Sequence, residues 1–345
     1  MTRNDNKFTL GKLKHDYLMK LLSKIKIDDS RVVMGSNIGE DAAVIDIPGK
    51  NYLVAKTDPI TFVTDEIGYY AVIVNINDLV CTGAIPKWFQ STILLPENKT
   101  TSEMVEDIFL KINKTCESMG ITVVGGHIEV TSKLNRPIVV GSLIGEVKKN
   151  KLVLSSGAEP NDALILTKGI FIEGTSIIGR EKEKKLLDHG MDSKFIEKCK
   201  NYLHNPGISV FKEALLANNN FKIKSMHDPT EGGIYTAIAE MAIASNTGII
   251  INKKNISILP ESTILSKIFN LNPYNTITSG SLLIAIKQED SSDLIDLLRK
   301  NAIQAEKIGE FLSREKGLMV KEENGKVIPL NYSETDEITK IFQSS

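Results

Sequence analysis

Cysteine is scarce in this chain: Cys81, Cys116 and Cys199 lie far apart and form no CxxC pair. A disulfide framework and a zinc knuckle are not expected, and the usage fits a reducing compartment. The five histidines show no HxxxH spacing, which removes the usual helical zinc motif. No apolar run approaches the roughly 20 residues needed to span a bilayer. Met1 to Lys12 is polar where a secretory leader would be apolar. The formal net charge is -1 and no block of like charge stands out, so the basic footprint that neutralises nucleic-acid phosphates is missing. The Lys-rich stretch from Glu181 to Lys185 interleaves acids with its lysines and reads as a solvated helix face. The expectation is a soluble, cytoplasmic protein whose partner is neither nucleic acid nor membrane.

What is present is ordinary globular material. The chain has 345 residues, 41% hydrophobic and 25% charged, a length that predicts two domains. Leu13, Tyr17, Leu18, Leu21, Leu22 and Ile25 recur at helical spacing. Ala42 to Ile47 and Tyr52 to Lys56 read as strands joined by the Pro48-Gly49-Lys50-Asn51 turn. A helix is expected from Gly68 to Thr82 and a strand from Lys87 to Leu95. A second helix, capped by Ser102, places Met104, Ile108, Ile112, Cys116 and Met119 on one face and ends at Gly120. Strands flank an expected glycine turn at Gly125-Gly126, and another strand runs from Pro137 to Val147.

Ser155 to Asp162 is the best linker, dividing the chain into domains 1–155 and 156–345. A strand at Ala163 to Thr167 follows, with helices near Thr175 to Leu187 and Ile208 to Ala217. Further signals lie at Lys222 to Met226, Ile234 to Ser245, Ser281 to Ile286 and Ser292 to Asn301. A hairpin spans Gly317 to Leu330 and turns through Glu323-Asn324-Gly325. Mixed strands and helices in both halves imply an α/β or α+β protein with two separate cores.

The first half sets several carboxylates in costly places. Asp41 directly precedes a strand, Asp58 ends one, and Glu129 follows Gly125-Gly126-His127-Ile128. On a helical wheel Ala71, Asn75, Asp78 and Thr82 share a narrow stripe opposite a broad apolar face. Acids so placed lose hydration and need partners. Two like charges 4 Å apart repel by about 4 kcal/mol at an effective dielectric of 20, so such a cluster would expel a bare triphosphate. A hard cation bridging carboxylate and phosphate oxygens reverses the sign, and magnesium suits that arrangement. Glycines 35, 39, 125 and 126 would let backbone amides approach phosphate. Scattered loop acids and turn glycines are the alternative reading of the same residues.

The strings Gly39-Glu40-Asp41-Ala42-Ala43-Val44, Thr57-Asp58, Asn75-Ile76-Asn77-Asp78-Leu79 with Gly83-Ala84-Ile85-Pro86, and Gly125-Gly126-His127-Ile128-Glu129-Val130 occur in one order. That order resembles the superfamily of aminoimidazole ribonucleotide synthetase, HypE, selenophosphate synthetase and thiamine-monophosphate kinase. His227-Asp228-Pro229-Thr230-Glu231-Gly232-Gly233 looks like the HypE segment at the same place, and Ser279-Gly280-Ser281-Leu282-Leu283-Ile284 resembles a late strand of that family. The resemblance covers nearly the whole chain and implies a two-domain PurM-like fold. Its N-terminal mixed sheet would dimerise and bind ATP with Mg2+ near the dimer interface, and a C-terminal α/β domain would close the site.

By position, Asp41, Asp58 and Asp78 become the implied metal ligands. Asp78, Glu129 and Asp228 become the catalytic set, and Thr57, Asn75, Gly125, Gly126 and His127 the nucleotide contacts. The implied activity is activation of a small molecule by phosphoryl transfer, which is mainly positioning and charge neutralisation. A hydrogenase-maturation role, a non-catalytic ATP-binding partner and a thiamine-monophosphate kinase stay open as alternatives.

Two departures bear on this. His127 stands where many relatives have Asp; its imidazole either contacts phosphate or metal, or fills the turn. The chain closes on Gln343-Ser344-Ser345, without the terminal cysteine that carries the acceptor in HypE, so the expected substrate is a free small molecule. Cys81 reads as a small buried thiol, and Lys168-Gly169 with Glu173-Gly174-Thr175 as either an anion site or an ordinary strand-to-helix turn.

Overall fold

The structure, a computed structural model, describes residues 13, 15–35, 42–333 and 335–343. Asp41, Gly39 and Glu40 lie outside the described residues.

In the first half, α1 (His15–Leu22) precedes β1 (Val32–Met34), β2 (Ala43–Asp46) and β3 (Asn51–Ile60). Then come α2 (Ile67–Cys81), β4 (Ile85–Pro96), α3 (Ser102–Ser118), β5 (Thr122–Thr131) and β6 (Ile138–Lys148). The strands form one mixed sheet in the order β1-β2-β3-β6-β4-β5, antiparallel except for the parallel pair β4/β5. Along β6 the residues Val139, Gly141, Leu143, Gly145 and Val147 are buried in strict alternation, the period of a sheet with one covered face. Thr101, not Ser102, caps α3: its side chain accepts from the Met104 amide.

The second half holds β7 (Asp162–Thr167), α4 (Ile172–Glu181), α5 (Glu183–Asp188), α6 (Ser193–Asn201), α7 (Phe211–Asn220) and β8 (Ser225–His227). It continues through α8 (Gly233–Ala244), β9 (Gly248–Asn252), α9 (Pro260–Ile268), β10 (Leu283–Lys287), α10 (Ser291–Lys300), β11 (Ala305–Leu312), β12 (Leu318–Lys321), β13 (Val327–Pro329) and α11 (Thr339–Gln343). Its sheet runs β13-β12-β9-β11-β7-β10-β8. The hairpin at the end of the expected series is present as the antiparallel pair β12/β13. The helix expected over Thr175 to Leu187 is two helices, broken at Lys182, where φ is -128°.

Three expectations need correction. Gly125-Gly126 is no turn: both glycines lie inside the unbroken strand β5, and a side chain at Gly126 would meet the Ser91 carbonyl oxygen at 2.3 Å. The strands β9 and β11, near the middle of the second sheet, went unread. In β11 the charged residues Glu306, Lys307 and Glu310 interrupt the apolar alternation. Nor are the cores separate. One apolar cluster runs from Val44, Val72 and Ile73 of the first half to Ile177, Ile208 and Ala214 of the second, while a second cluster fills the other face of the second sheet.

The continuous core has one cause, which is that α2 is buried on all sides. Every residue of α2 except Tyr69 is buried, the condition of a helix packed by protein all round. The first sheet covers one side and the second half covers the other. Asn77 fastens that second contact: its Nδ2 donates to the Ile208 carbonyl at 2.8 Å and its Oδ1 accepts from the Val210 amide at 2.9 Å.

On the sheet side, α2 approaches so closely that a Cβ at Gly141 would lie 2.4 Å from Asn75 Nδ2 and 2.7 Å from the Ala71 carbonyl oxygen. Gly141→Ala is therefore expected to destabilise the protein by about 1–3 kcal/mol, the usual cost of overpacking. Urea unfolding measures it, and an unchanged midpoint would mean that α2 retreats freely.

Candidate functional site

The sheet face that carries α2 also carries the acids. Along β3, side chains alternate, so Lys56 and Asp58 point toward α2 while Thr57 points to the other face. Asp78, three residues after Asn75 and nearly one helical turn on, meets them: Lys56 Nζ lies 2.8 Å from Asp78 Oδ2 and 3.6 Å from Asp58 Oδ2. Asp78 is only 4% exposed. The cation these acids need is thus supplied within the chain, by a lysine that the sequence reading passed over.

Asn75 is wholly buried. Its Nδ2 donates to the Ala71 carbonyl at 2.8 Å, and its Oδ1 has no hydrogen-bond partner among the described residues. Thr57 donates to the Gly141 carbonyl at 2.8 Å and accepts from Ser142 Oγ at 3.2 Å, on the sheet face opposite Asp58.

Asp228 comes from the second half, in the loop between β8 and α8. Its Oδ1 stands 3.6 Å from Cys81 Sγ, on the last turn of α2 just beyond Asp78. The loop is held at both ends. His227 Nε2 lies 2.9 Å from Glu240 Oε2 on α8, and the Gly232 amide donates to Asp336 Oδ2 at 2.7 Å.

Glu129 and His127 are not brought to this place within one chain. Both lie on β5, the edge strand, with His127 Nε2 and Glu129 Oε2 3.2 Å apart and side chains 65% and 51% exposed. Three strand spacings, about 14 Å, separate β5 from β3. Asp58, Asn75, Asp78 and Asp228 therefore gather around α2, whereas Gly125, Gly126, His127 and Glu129 form a separate exposed row.

A magnesium site fits the first group. Its donors are oxygens, a buried Asn75 oxygen stands unused, and a cation already sits against both carboxylates. Magnesium takes few protein ligands and fills its octahedron with water and phosphate oxygens. Among the described residues, no three His, Cys, Asp or Glu side chains cluster so as to hold a metal by themselves. Two clefts of about 490 Å³ each, one lined by Asp65, Asp107 and Arg180 and the other by Lys254, Arg299 and Glu306, include none of these acids.

Lys168 does not present an anion site. Its ammonium is committed to Glu213 Oε1 at 2.8 Å and to the carbonyls of Ser209 at 2.7 Å and Gly207 at 3.2 Å.

Comparison with known proteins matches the same segments. The family model described as AIR synthase related protein, N-terminal domain, covers residues 39–147, and its C-terminal counterpart covers 159–321. The chain belongs to the AIR synthase-related family. A provisionally named hydrogenase expression/formation protein of Methanocaldococcus jannaschii is 28% identical over 87% of this chain and 88% of its own length. Selenide, water dikinase 2 of Peptoclostridium acidaminophilum is 26% identical over 87% of this chain and 91% of its own. A crystal structure of the hydrogenase maturation protein HypE in complex with ATP superposes with a TM-score of 0.67 at 19% identity, covering 91% of this chain and 92% of that one. The two-domain mixed architecture of this AIR synthase-related chain is that of the PurM-like fold. No helix among its described residues is long and apolar enough to cross a membrane.

Two further buried acids, Glu173 and Asp336, lie in the second half. Burial pushes the Glu173 carboxyl up to about 7, with the nearby charges of Asp336 and Glu231 adding to the shift and a hydrogen bond with Ser279 opposing it. Asp336, which pins Gly232, is likewise raised to about 7, chiefly by burial. A carboxyl whose folded pKa lies above its unfolded one stabilises fully below the unfolded value, near 4, and loses that contribution as pH rises through about 7. Glu173→Gln removes the titration, so the variant should gain on the parent by about 1–3 kcal/mol near pH 8 and by nothing near pH 4. Urea melts at the two pH values test this; a difference independent of pH would refute it.

Proposed function

We propose that this AIR synthase-related chain is an ATP- and magnesium-dependent phosphoryl-transfer enzyme that activates a small molecule. The observation that carries the reading is the convergence on α2 of Asp58 and Asp78 around the buried Lys56 ammonium, with Asp228 reaching the same helix at Cys81. These residues come from β3, α2 and a loop of the other half, so no local fold requirement gathers them. Asp58 and Asp78 would hold the metal, with Asn75 Oδ1 as a further oxygen. Magnesium, when bound, supplies charge neutralisation for the phosphates. Asp228 approaches from the opposite half, where it can orient an acceptor group or take its proton. Asp41, outside the described residues, is proposed as a third ligand by its place in the family motif. The ATP named in the HypE structure and the dikinase name of a relative support the same chemistry.

ATP with magnesium is expected to raise the melting temperature, by an amount equivalent to about 2.7 kcal/mol at a hundred times the dissociation constant. Asp78→Asn should abolish most of that ligand-dependent increment. A thermal-shift titration with and without EDTA is the measurement. Equal shifts in both, or an Asp78→Asn variant that responds like the parent, would sink the metal assignment.

The exposed row on β5 is proposed to enter the site by dimerisation. As the last strand of its sheet, β5 leaves an unpaired backbone edge, and Val124, Ile128 and Val130 along it are 44–56% exposed. Such an apolar edge is an interaction surface in a stable protein, and a two-fold arrangement is the commonest closed solution. Light scattering should give twice the chain mass for the parent and a single mass for Ile128→Lys/Val130→Lys. A parent that is monomeric at micromolar concentration would leave His127 and Glu129 outside the site.

A further inference from the structure

We propose that Lys56 is a resident counter-ion that holds the place of the metal, and that magnesium enters only by exchanging with it. This rests on the phosphoryl-transfer reading above. The Lys56 side chain is 10% exposed, and its ammonium touches Asp78 at 2.8 Å and approaches Asp58 at 3.6 Å. A lysine this buried is retained because it is paired, and removing one partner of such a pair is costly.

The geometry makes the two cations exclusive. Magnesium takes carboxylate oxygens at about 2.0–2.1 Å, so an ion held by both Asp58 and Asp78 uses the carboxylates that the ammonium now contacts. A divalent ion and an ammonium on the same two carboxylates repel each other, which disfavours their sharing the site.

The displaced ammonium has little choice of destination. Its Cα is fixed in β3 by pairing with β2 on one side and β6 on the other, and alternation keeps the side chain on the α2 face. It can swing outward along that face, where metal-bound phosphates would lie. An ammonium is a point-charge partner for phosphate oxygens. Magnesium alone must break a paired lysine away from its carboxylates; magnesium with a triphosphate offers that lysine new anionic partners. Metal and nucleotide are thereby coupled, each strengthening the other by the same factor, through a single side chain that belongs to neither.

The consequence has an unusual sign: deleting the lysine should tighten free metal. Isothermal titration of Mg2+ alone into Lys56→Met is expected to show about tenfold tighter binding than the parent. The parent's enhancement of Mg2+ binding by saturating ATP should shrink by a similar factor. Lys56→Arg, which keeps charge and pairing, should bind free Mg2+ as weakly as the parent and serves should the methionine variant not fold. Parent-like Mg2+ affinity in Lys56→Met, with MgATP still stabilising the parent, overturns the exchange while leaving the phosphoryl-transfer reading intact. Tighter Mg2+ binding in Lys56→Arg overturns the exchange as well. A parent that shows no magnesium-dependent ATP binding overturns both.

Discussion

The burial of α2 on every side is the constraint from which the rest follows. A helix with almost no exposed residue needs two covering bodies, and here they are the first sheet and the second half of the chain. The single core, the Asn77 clamp on Ile208 and Val210 and the close approach at Gly141 are all ways of holding that helix. Because α2 is shared, every polar group on it except that of Tyr69 is buried, either against the first sheet or against the second half. Asn77 and Cys81 meet the second half, while Asn75 and Asp78 face the first sheet.

Placing an aspartate there has a physical cost that the fold meets with Lys56. The same pairing keeps the two carboxylates close without the mutual repulsion that would otherwise open the site. Charge balance, not apolar packing, therefore sets the local geometry of the acids. The second half contributes a loop whose position is fixed from behind by His227 on Glu240 and by Asp336 on Gly232. Asp228 reaches α2 from a held loop, so the distance between the acids of the two halves depends on how the halves pack.

The edge strand β5 follows a different logic. Its row of His127 and Glu129 on one face and Ile128 and Val130 on the other, all exposed, makes sense neither as core nor as an ordinary solvent edge. It is the part of the family motif that the single chain leaves apart from Asp58 and Asp78.

Much of this was legible in the residues. Alternation and helical spacing located β3, α2, α3 and β6 to within a few positions, because each buries one face and so carries its period in the sequence. The same alternation places Lys56 beside Asp58, since residues two apart on a strand share a face. Motif order identified the superfamily and named Asp58, Asn75, Asp78 and Asp228. What no local pattern held was which charges meet. Lys56 and Asp78 are far apart in the chain and touch only because α2 crosses the sheet. Glu173 and Asp336 are acids in ordinary surroundings until the second half folds around them. The polar stripe on α2 is buried for the same reason, since its Asn75 and Asp78 are covered by β3 and β6 of the first sheet. Sequence alone determined the elements and the identity of the acids, because those depend on neighbours in the chain. Tertiary structure decided the partners and protonation of those acids, because burial and Coulomb energy depend on neighbours in space.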